Sequence, residues 1–365
     1  MSLQPLIKWA GGKEQELKMI IPNIPKEFNN YYEPFIGGGA LYFYLNHKNS
    51  FINDKSIELV NLYNTIKNEE PKFYEFLNHI ILDWNILRDF IVENKEELLI
   101  FYNKANTSNL KVLVEDFLSN YRIKLNVLSC FNKSPSLMHH LYKKTMKLKE
   151  IELEAKNFKE KDILDTFECA FKGAYYTDLR DLYNLSFKVS LKIDPVSHSV
   201  LFFFIRSLCY SGMFRYNKNN EFNVPYGGIG YNSRNLQNKV DYYQSKDILE
   251  LLNNTTIYNE DFEDFFKKSS PQENDFIFLD PPYDSEFSKY ANNEFDKNDQ
   301  ERLANYLINE CKANWMVVIK NTDYIYSLYN KENVFINSFD KAYAVNFKNR
   351  NDRTVKHLMI TNYKF

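Results

Sequence analysis

Residues 276–287 read FIFLDPPYDSEF: an apolar run, then a carboxylate, two prolines and a tyrosine. Phe276, Ile277, Phe278 and Leu279 fit a strand covered on both faces, the kind found in parallel sheets. Pro281 and Pro282 cannot extend a central strand, because they carry no N–H. Asp280 therefore sits at the carboxyl end of a buried strand, on a stiff turn, with Tyr283 beside it. That placement marks a candidate site. A second candidate is YYEPFIGGGALYFYL, residues 31–45, which reads as a strand, a glycine-rich turn and a helix. Glycines let backbone approach a ligand closely, and a helix N-terminus offers free N–H groups. The spacing is neither the dinucleotide fingerprint nor the Walker A motif, and a plain tight turn would account for it equally well. FINDKS, residues 51–56, then ends a second apolar strand in Asp54, where an acid can bind ribose hydroxyls. Glycine turn and downstream acid together point to a nucleoside-type cofactor at a topological switch point. Ahead of both lies LIKWAGGKEQEL, residues 6–17, with Lys8, Trp9 and Lys13. It is either a loop with a core tryptophan and solvated lysines, or a cap over the cofactor with Lys13 facing a carboxylate.

Two kinds of text surround these motifs. Residues 1–70 and about 245–365 alternate strand with helix. The expected strands are Tyr31–Glu33, Phe51–Asn53, Thr256–Tyr258, Phe276–Leu279, Trp315–Ile319, Val334–Ile336 and His357–Thr361. Ser56–Asn68 has helical spacing, and Asp296 is a good N-cap for a helix presenting Leu303, Leu307 and Cys311 on one face. This alternation predicts an α/β sheet with helices on both faces. Residues 71–200 instead read as several amphipathic helices, with EIELEAKNFKEKDILDTFECAF (150–171) as an example whose charges suit a solvated face. From residue 201 an apolar helix leads into a Gly/Asn/Pro-punctuated, hairpin-like segment. The α/β unit is thus interrupted by an inserted middle region.

Composition narrows the function classes. The chain has 365 residues, 44% of them hydrophobic and 26% charged, as in ordinary globular proteins. There is no run of about 18 apolar residues and no signal-peptide pattern, so a cytoplasmic protein without a membrane partner is expected. Cys130, Cys169, Cys209 and Cys311 are scattered without a C-x-x-C pair, and His139-His140 would point to different faces of a helix. Neither a disulfide framework nor a metal centre is expected. A net charge of −2 counts mildly against a polyanion partner, although a local basic cleft can sit on a neutral molecule. The 27 tyrosines and 30 phenylalanines exceed the needs of a core and leave some for stacking.

Taken in order, K-W-A-G-G-K, E-P-F-I-G-G-G and D-P-P-Y resemble the Dam-type adenine-N6 DNA methyltransferases of the D12 class, alpha group. The likeness extends through LYNTIK (62–67), AYYTDLRDLYN (174–184), FFFIRSLCYSGMFRYNKNNEFNVPYG (202–227), YNEDF (258–262), WMVVIKN (315–321) and RTVKHLMITNY (353–363). Roughly residues 72–173 stay unmatched. The resemblance implies a class I, Rossmann-like S-adenosylmethionine-dependent methyltransferase fold, mostly parallel, with one antiparallel edge hairpin toward the C-terminus. A mainly helical DNA-recognition domain, about 71–244, would be inserted after the helix that follows the second strand. It implies S-adenosyl-L-methionine as cofactor and double-stranded DNA as partner. A restriction endonuclease acting on the same site is a further partner open to it, and a monomer is expected.

The resemblance also distributes roles. Asp280, Pro281, Pro282 and Tyr283 form the catalytic turn. Adenine N6 is a poor nucleophile because its lone pair is delocalised; the Asp280 carboxylate and Pro281 carbonyl would each accept one N6–H and draw that lone pair outward. Tyr283 would stack on a base flipped from the duplex. Trp9, Lys13, Glu33, Phe35, Gly37, Gly38, Gly39, Asp54, Asp261, Phe262 and Asp280 would line the cofactor pocket. Lys8, Tyr210, Ser211, Met213, Arg215, Tyr216, Asn217 and Pro225 would meet DNA, with Arg215 matched to guanine O6 and N7. FRYN and EFNVPYG match G-A-T-C-reading members. The chain departs from that pattern at Ser211, where asparagine is usual, at Gly228, where a basic residue often follows, and at His357, where an acid is common. These departures bear on the recognised sequence and leave the D-P-P-Y chemistry untouched. The alternatives are a methyltransferase acting on RNA or protein, and a catalytically silent binding module on the same fold.

Overall fold

The computed structural model describes residues 3–9, 11–121, 123–154, 157–187, 193–283, 295–342 and 354–364. Asp284–Phe287 of the opening stretch lie outside them. The chain divides into two units, one of Met1–Asn68, Phe214–Tyr216 and Tyr243–Phe365, the other of Glu69–Met213 and Asn217–Tyr242. The first unit begins with α1 (Leu17–Ile20), β1 (Tyr31–Glu33), α2 (Ala40–Leu45), β2 (Ser50–Asn53) and α3 (Ile57–Lys67). The second contributes α4 (Pro71–Glu93), α5 (Lys95–Lys104), α6 (Leu110–Asn120), α7 (Pro135–Leu153), α8 (Glu160–Leu185), α9 (Pro195–Leu208) and, at its boundary, α10 (Gln237–Tyr243). The first unit then resumes with α11 (Lys246–Asn253), β3 (Thr255–Tyr258), α12 (Phe262–Ser269), β4 (Phe276–Leu279) and α13 (Lys297–Asn309). It closes with β5 (Asn314–Lys320), α14 (Asp323–Tyr329), β6 (Phe335–Ala342) and β7 (Thr354–Thr361).

Seven strands form one sheet in the order β3-β2-β1-β4-β5-β7-β6. The first five in that order are parallel, and β7 runs antiparallel to both β5 and β6. The mixed α/β sheet with its C-terminal antiparallel hairpin is the class I methyltransferase fold expected above. From β1 the chain winds one way through β2 to β3, then returns to place β4 on the other side of β1. The winding reverses between β1 and β4, and the crevice beyond their carboxyl ends is where ligands bind in such sheets.

Alternation along the strands explains why the sheet needs two covering layers. Tyr32, Ile277, Leu279, Trp315 and Val317 pack with Phe265 and Phe266 of α12, Leu303 and Leu307 of α13, and Ile325 and Tyr329 of α14. The intervening Tyr31, Phe276, Phe278, Met316 and Val318 are equally buried and point to the opposite face. The helix predicted from Asp296 begins with a reciprocal cap between Asp296 and Asp299. It ends at Asn309, so Cys311 falls beyond the apolar stripe, its N–H folded back 2.9 Å to the Tyr306 carbonyl.

The second unit is helical, and residues 72–173 are built into its centre. Asp83 of α4 is fully buried and accepts bonds from Asn126 N (2.6 Å), Asn126 Nδ2 (2.8 Å), Val127 N (2.9 Å) and Tyr175 Oη (2.9 Å). Lys172 of α8 is 1% exposed and reaches Glu168, at 2.5 Å, and the Asn232 carbonyl, at 2.8 Å. One expectation fails here and another holds. Residues 150–171 are not one helix, since α7 stops at Leu153 and α8 starts at Glu160; Ala155 and Lys156 lie outside the described residues. The hairpin-like segment after α9 does reverse: Asn217 N bonds the Glu221 carbonyl at 2.9 Å, Asn220 N the Asn217 carbonyl at 3.0 Å, and Cys209 bridges Tyr226 in antiparallel fashion. Its Gly, Asn and Pro residues signalled the turn, and buried Phe222, Val224 and Tyr226 alternate with Glu221, Asn223 and Pro225 as a strand face requires.

Asp275 fastens the entry to β4 onto the entry to β1. It is 1% exposed and accepts from Asn30 N (3.1 Å), Asn30 Nδ2 (2.8 Å) and Gln272 N (2.8 Å). Asp275→Ala would remove the buried acceptor that these partly exposed donors share, and should cost roughly 1.5 kcal/mol of stability in urea unfolding.

Candidate active site

The carboxyl ends of β1, β2, β3 and β4 carry the polar groups of the site. Beyond β4, Asp280 meets Lys13, whose ammonium lies within ion-pair contact of Asp280 Oδ2. Lys13 is 3% exposed and Asp280 20%. The same Lys13 Nζ donates to the Gly11 carbonyl and to Tyr283 Oη, each at 3.2 Å. One buried cation thus joins the N-terminal loop, the acid and the tyrosine. On the far side of the turn, Gln300 of α13 donates from Nε2 to the Pro282 carbonyl at 2.9 Å and is fully buried. His357, also fully buried, stands edge-on to the Tyr283 ring with centroids 5.6 Å apart.

Beyond β1 the glycine loop folds against Trp9. Gly37 adopts φ +47°, and a Cβ there would fall 2.7 Å from Trp9 Cδ1. Gly39 has φ +71° and caps α2. Both positions need glycine, one for close approach and both for left-handed backbone. Glu33, 2% exposed, accepts from Tyr31 Oη at 2.5 Å. Burial holds its carboxyl well above the usual range, and the Asp280 charge adds to that, while the Tyr31 hydroxyl and Lys13 oppose it.

Beyond β2, Asn53 and Asp54 tie three loops together. Asn53 is 2% exposed; its Nδ2 donates to the carbonyls of Pro34 (3.0 Å) and Glu260 (3.1 Å), and its Oδ1 accepts from Glu260 N (2.8 Å). Asp54 Oδ2 accepts from Gly37 N at 3.0 Å and Oδ1 from Ser56 N at 2.9 Å. Burial pushes the Asp54 carboxyl up to about 6, against the lowering effect of those N–H donors. Beyond β3, Asp261 caps α12 through Glu263 N and pairs with Arg302, while Phe262 is buried in a three-ring cluster with Phe35 and Phe295.

Trp9, Lys13, Glu33, Phe35, Gly37–Gly39, Asp54, Asp261, Phe262 and Asp280–Tyr283 therefore stand on the first unit, those after Lys13 at the carboxyl ends of β1, β2, β3 and β4. Arg215 and Lys8 are exposed on the same unit, and Tyr216 packs beside Phe214, which leans on Trp9 at 4.9 Å. Tyr210, Ser211, Met213, Asn217 and Pro225 belong to the second unit. Tyr210 is 50% exposed, with its N–H bonded to the Pro225 carbonyl. Ser211 takes φ +53°, and its N–H bonds to Tyr231 Oη. The Met213 carbonyl accepts from the buried Arg206 at 2.7 Å. The Asn217 side chain is spent on the 217–221 turn, bonding Asn219 N, Glu221 N and Glu221 Oε2. Sequence reasoning missed Asn53, Gln300 and Arg302. Asn53 carried a signal, a polar residue closing an apolar strand; the other two sit mid-helix, where nothing in the spacing sets them apart.

A family model described as D12 class N6 adenine-specific DNA methyltransferase matches residues 9–172 and 156–341. The chain belongs to this family. It is 26% identical to the Type II methyltransferase M.CviBI of Paramecium bursaria Chlorella virus NC1A, over 99% of this chain and 100% of that protein. Identity to the Type II methyltransferase M.MjaIII of Methanocaldococcus jannaschii is 28%, over 92% and 90% of the two chains. A DNA adenine methylase of Haemophilus influenzae is 22% identical over 82% and 73%. Membership places the D-P-P-Y turn and the glycine loop in a DNA adenine methyltransferase.

Asp54 gives a pH prediction. The fold favours its neutral form, so its contribution to stability is full below pH ~4, falls as pH rises, and is lost above about 6. The gap in melting temperature between wild type and Asp54→Asn should therefore shift toward the variant between pH 4 and pH 7 on the order of a few degrees. A gap independent of pH would remove the assignment.

Proposed function

We propose that this chain transfers a methyl group from S-adenosyl-L-methionine to N6 of adenine in a specific, GATC-like duplex sequence. The observation that carries the reading is the D-P-P-Y turn with its acid held by a buried lysine, beside a glycine loop at a sheet switch point. The pocket residues suit the cofactor. The glycine loop presents backbone where a Cβ would clash, Asp54 is an acid at the second strand end, and Asp261 keeps Oδ2 without a hydrogen bond among the described residues. S-adenosylmethionine, when bound, supplies a methyl group on a sulfonium leaving group.

The chain's own groups do the rest. Lys13 pairs with the Asp280 carboxylate and fixes its orientation. The Asp280 carboxylate accepts one N6–H of the target adenine and the Pro281 carbonyl the other, pulling the nitrogen lone pair out of conjugation. Gln300 anchors the next carbonyl, so the turn cannot swing away as the substrate enters. Tyr283, held at its hydroxyl by Lys13 and at its edge by His357, stacks on the base, which must leave the duplex to reach it. Asp280 or water takes the proton after transfer. The first unit is the catalytic domain, and the second, with the segment around Arg215, the recognition domain. The exposed Arg215 guanidinium is the leading candidate for guanine.

Mapping modified adenines in DNA from a methylation-free host that expresses the chain should show N6-methyladenine at one short motif. Absence of the mark at every motif rejects the proposal. Asp280→Ala should abolish transfer, yet it would also strand the Lys13 cation at a cost of several kcal/mol. Asp280→Asn keeps the shape and should lower turnover by at least ~100-fold with cofactor affinity little changed. Retained turnover would show that the carboxylate is misassigned.

A further inference from the structure

Arg302, on α13, makes directed bonds to three carboxylates on two elements. Its Nη2 donates to Asp261 Oδ1 at 2.8 Å, Nε to Glu263 Oε1 at 2.9 Å, and Nη1 to Asp299 Oδ1 at 2.6 Å. The guanidinium carbon also lies 4.8 Å from the centre of the Phe262 ring. Asp261 and Glu263 begin α12, and Asp299 belongs to the cap of α13, so one side chain rivets two helix starts together. The bonding at Asp261 is one-sided. Arg302 and Glu263 N both address Oδ1, and Oδ2 accepts no hydrogen bond among the described residues. A carboxylate held by one oxygen presents the other in a fixed direction, and an ionised carboxylate can only accept. A planar fork bonded at three points holds such a direction better than a flexible ammonium would.

We infer that Arg302 is a positioning residue for the purine of the cofactor: it aims Asp261 Oδ2 at a hydrogen-bond donor, and so selects a 6-amino over a 6-oxo purine. The inference rests on the cofactor reading above and adds to it a residue outside the family motifs. A 6-amino group donates to Oδ2, whereas a 6-oxo group would set its oxygen against the carboxylate.

The test is calorimetric binding of S-adenosyl-L-homocysteine and of S-inosyl-L-homocysteine, its 6-oxo counterpart, to the full chain. Wild type should prefer the 6-amino ligand strongly. Arg302→Met should reduce that preference on the order of tenfold, by weakening the 6-amino ligand while leaving the 6-oxo ligand unchanged or improved. Arg302→Lys retains a positive charge among the three carboxylates and guards against a folding defect. It too should lose most of the preference, because it cannot make three directed bonds. Full preference in Arg302→Lys, or equal weakening of both ligands in Arg302→Met, would reduce Arg302 to charge balance or scaffolding and overturn the inference. A wild type that binds S-adenosyl-L-homocysteine without preferring it over the 6-oxo ligand overturns it as well. Failure of wild type to bind S-adenosyl-L-homocysteine at all would instead bring down the cofactor reading, and this inference with it.

Discussion

A lysine ammonium that is 3% exposed cannot be left without a counter-charge, and in this chain the counter-charge is the acid of the D-P-P-Y turn. The pair is costly to bury, and its cost is offset only if the geometry holds. That requirement reaches outward. Lys13 also turns back on its own loop, donating to the Gly11 carbonyl two residues earlier. It also engages Tyr283, so the ring beside the acid is fixed by the same cation. The ion pair therefore joins the D-P-P-Y turn to a segment that lies far away in sequence.

Around the pair, the loops leaving the sheet are held by buried acceptors and donors more than by apolar packing. Asn53 and Asp54 reach the loops after β1 and β3, and both depend on the parallel register that brings three strand ends to one level. A one-residue slip would turn every side chain to the other face. The apolar strands are thus what allow these few polar contacts to be made. In return, the contacts fix loops that have too little apolar surface to fix themselves.

The second unit follows a different rule. Its helices cross about buried polar centres, Asp83 and Lys172, in an otherwise aromatic interior. Such centres work only when every donor and acceptor is met, and α4 and α8 both carry part of the set. This is why residues 72–173, which carry none of the quoted motifs, are structurally inseparable from the rest of the second unit.

Much of the site was legible in the sequence. The apolar run of β4, the acid and the prolines that end it, the glycine turn after β1 and the acid after β2 are each local signals: hydrophobic period, missing N–H, missing Cβ. Lys13 was legible as a lysine that would face a carboxylate. Which carboxylate, and that it would also grip Tyr283, became definite only when the sheet brought residues 13 and 280 together. Asn53, Gln300 and Arg302 are polar residues whose roles depend on partners from other elements, and no spacing along the chain encodes such a partner. The helix boundary between 153 and 160 was missed for a related reason, since composition reports a tendency while packing sets the boundary. The sequence alone therefore determined which groups the D-P-P-Y turn carries and that it ends a buried strand. The tertiary structure decided how that turn is held, because buried polar groups must find partners wherever the fold places them.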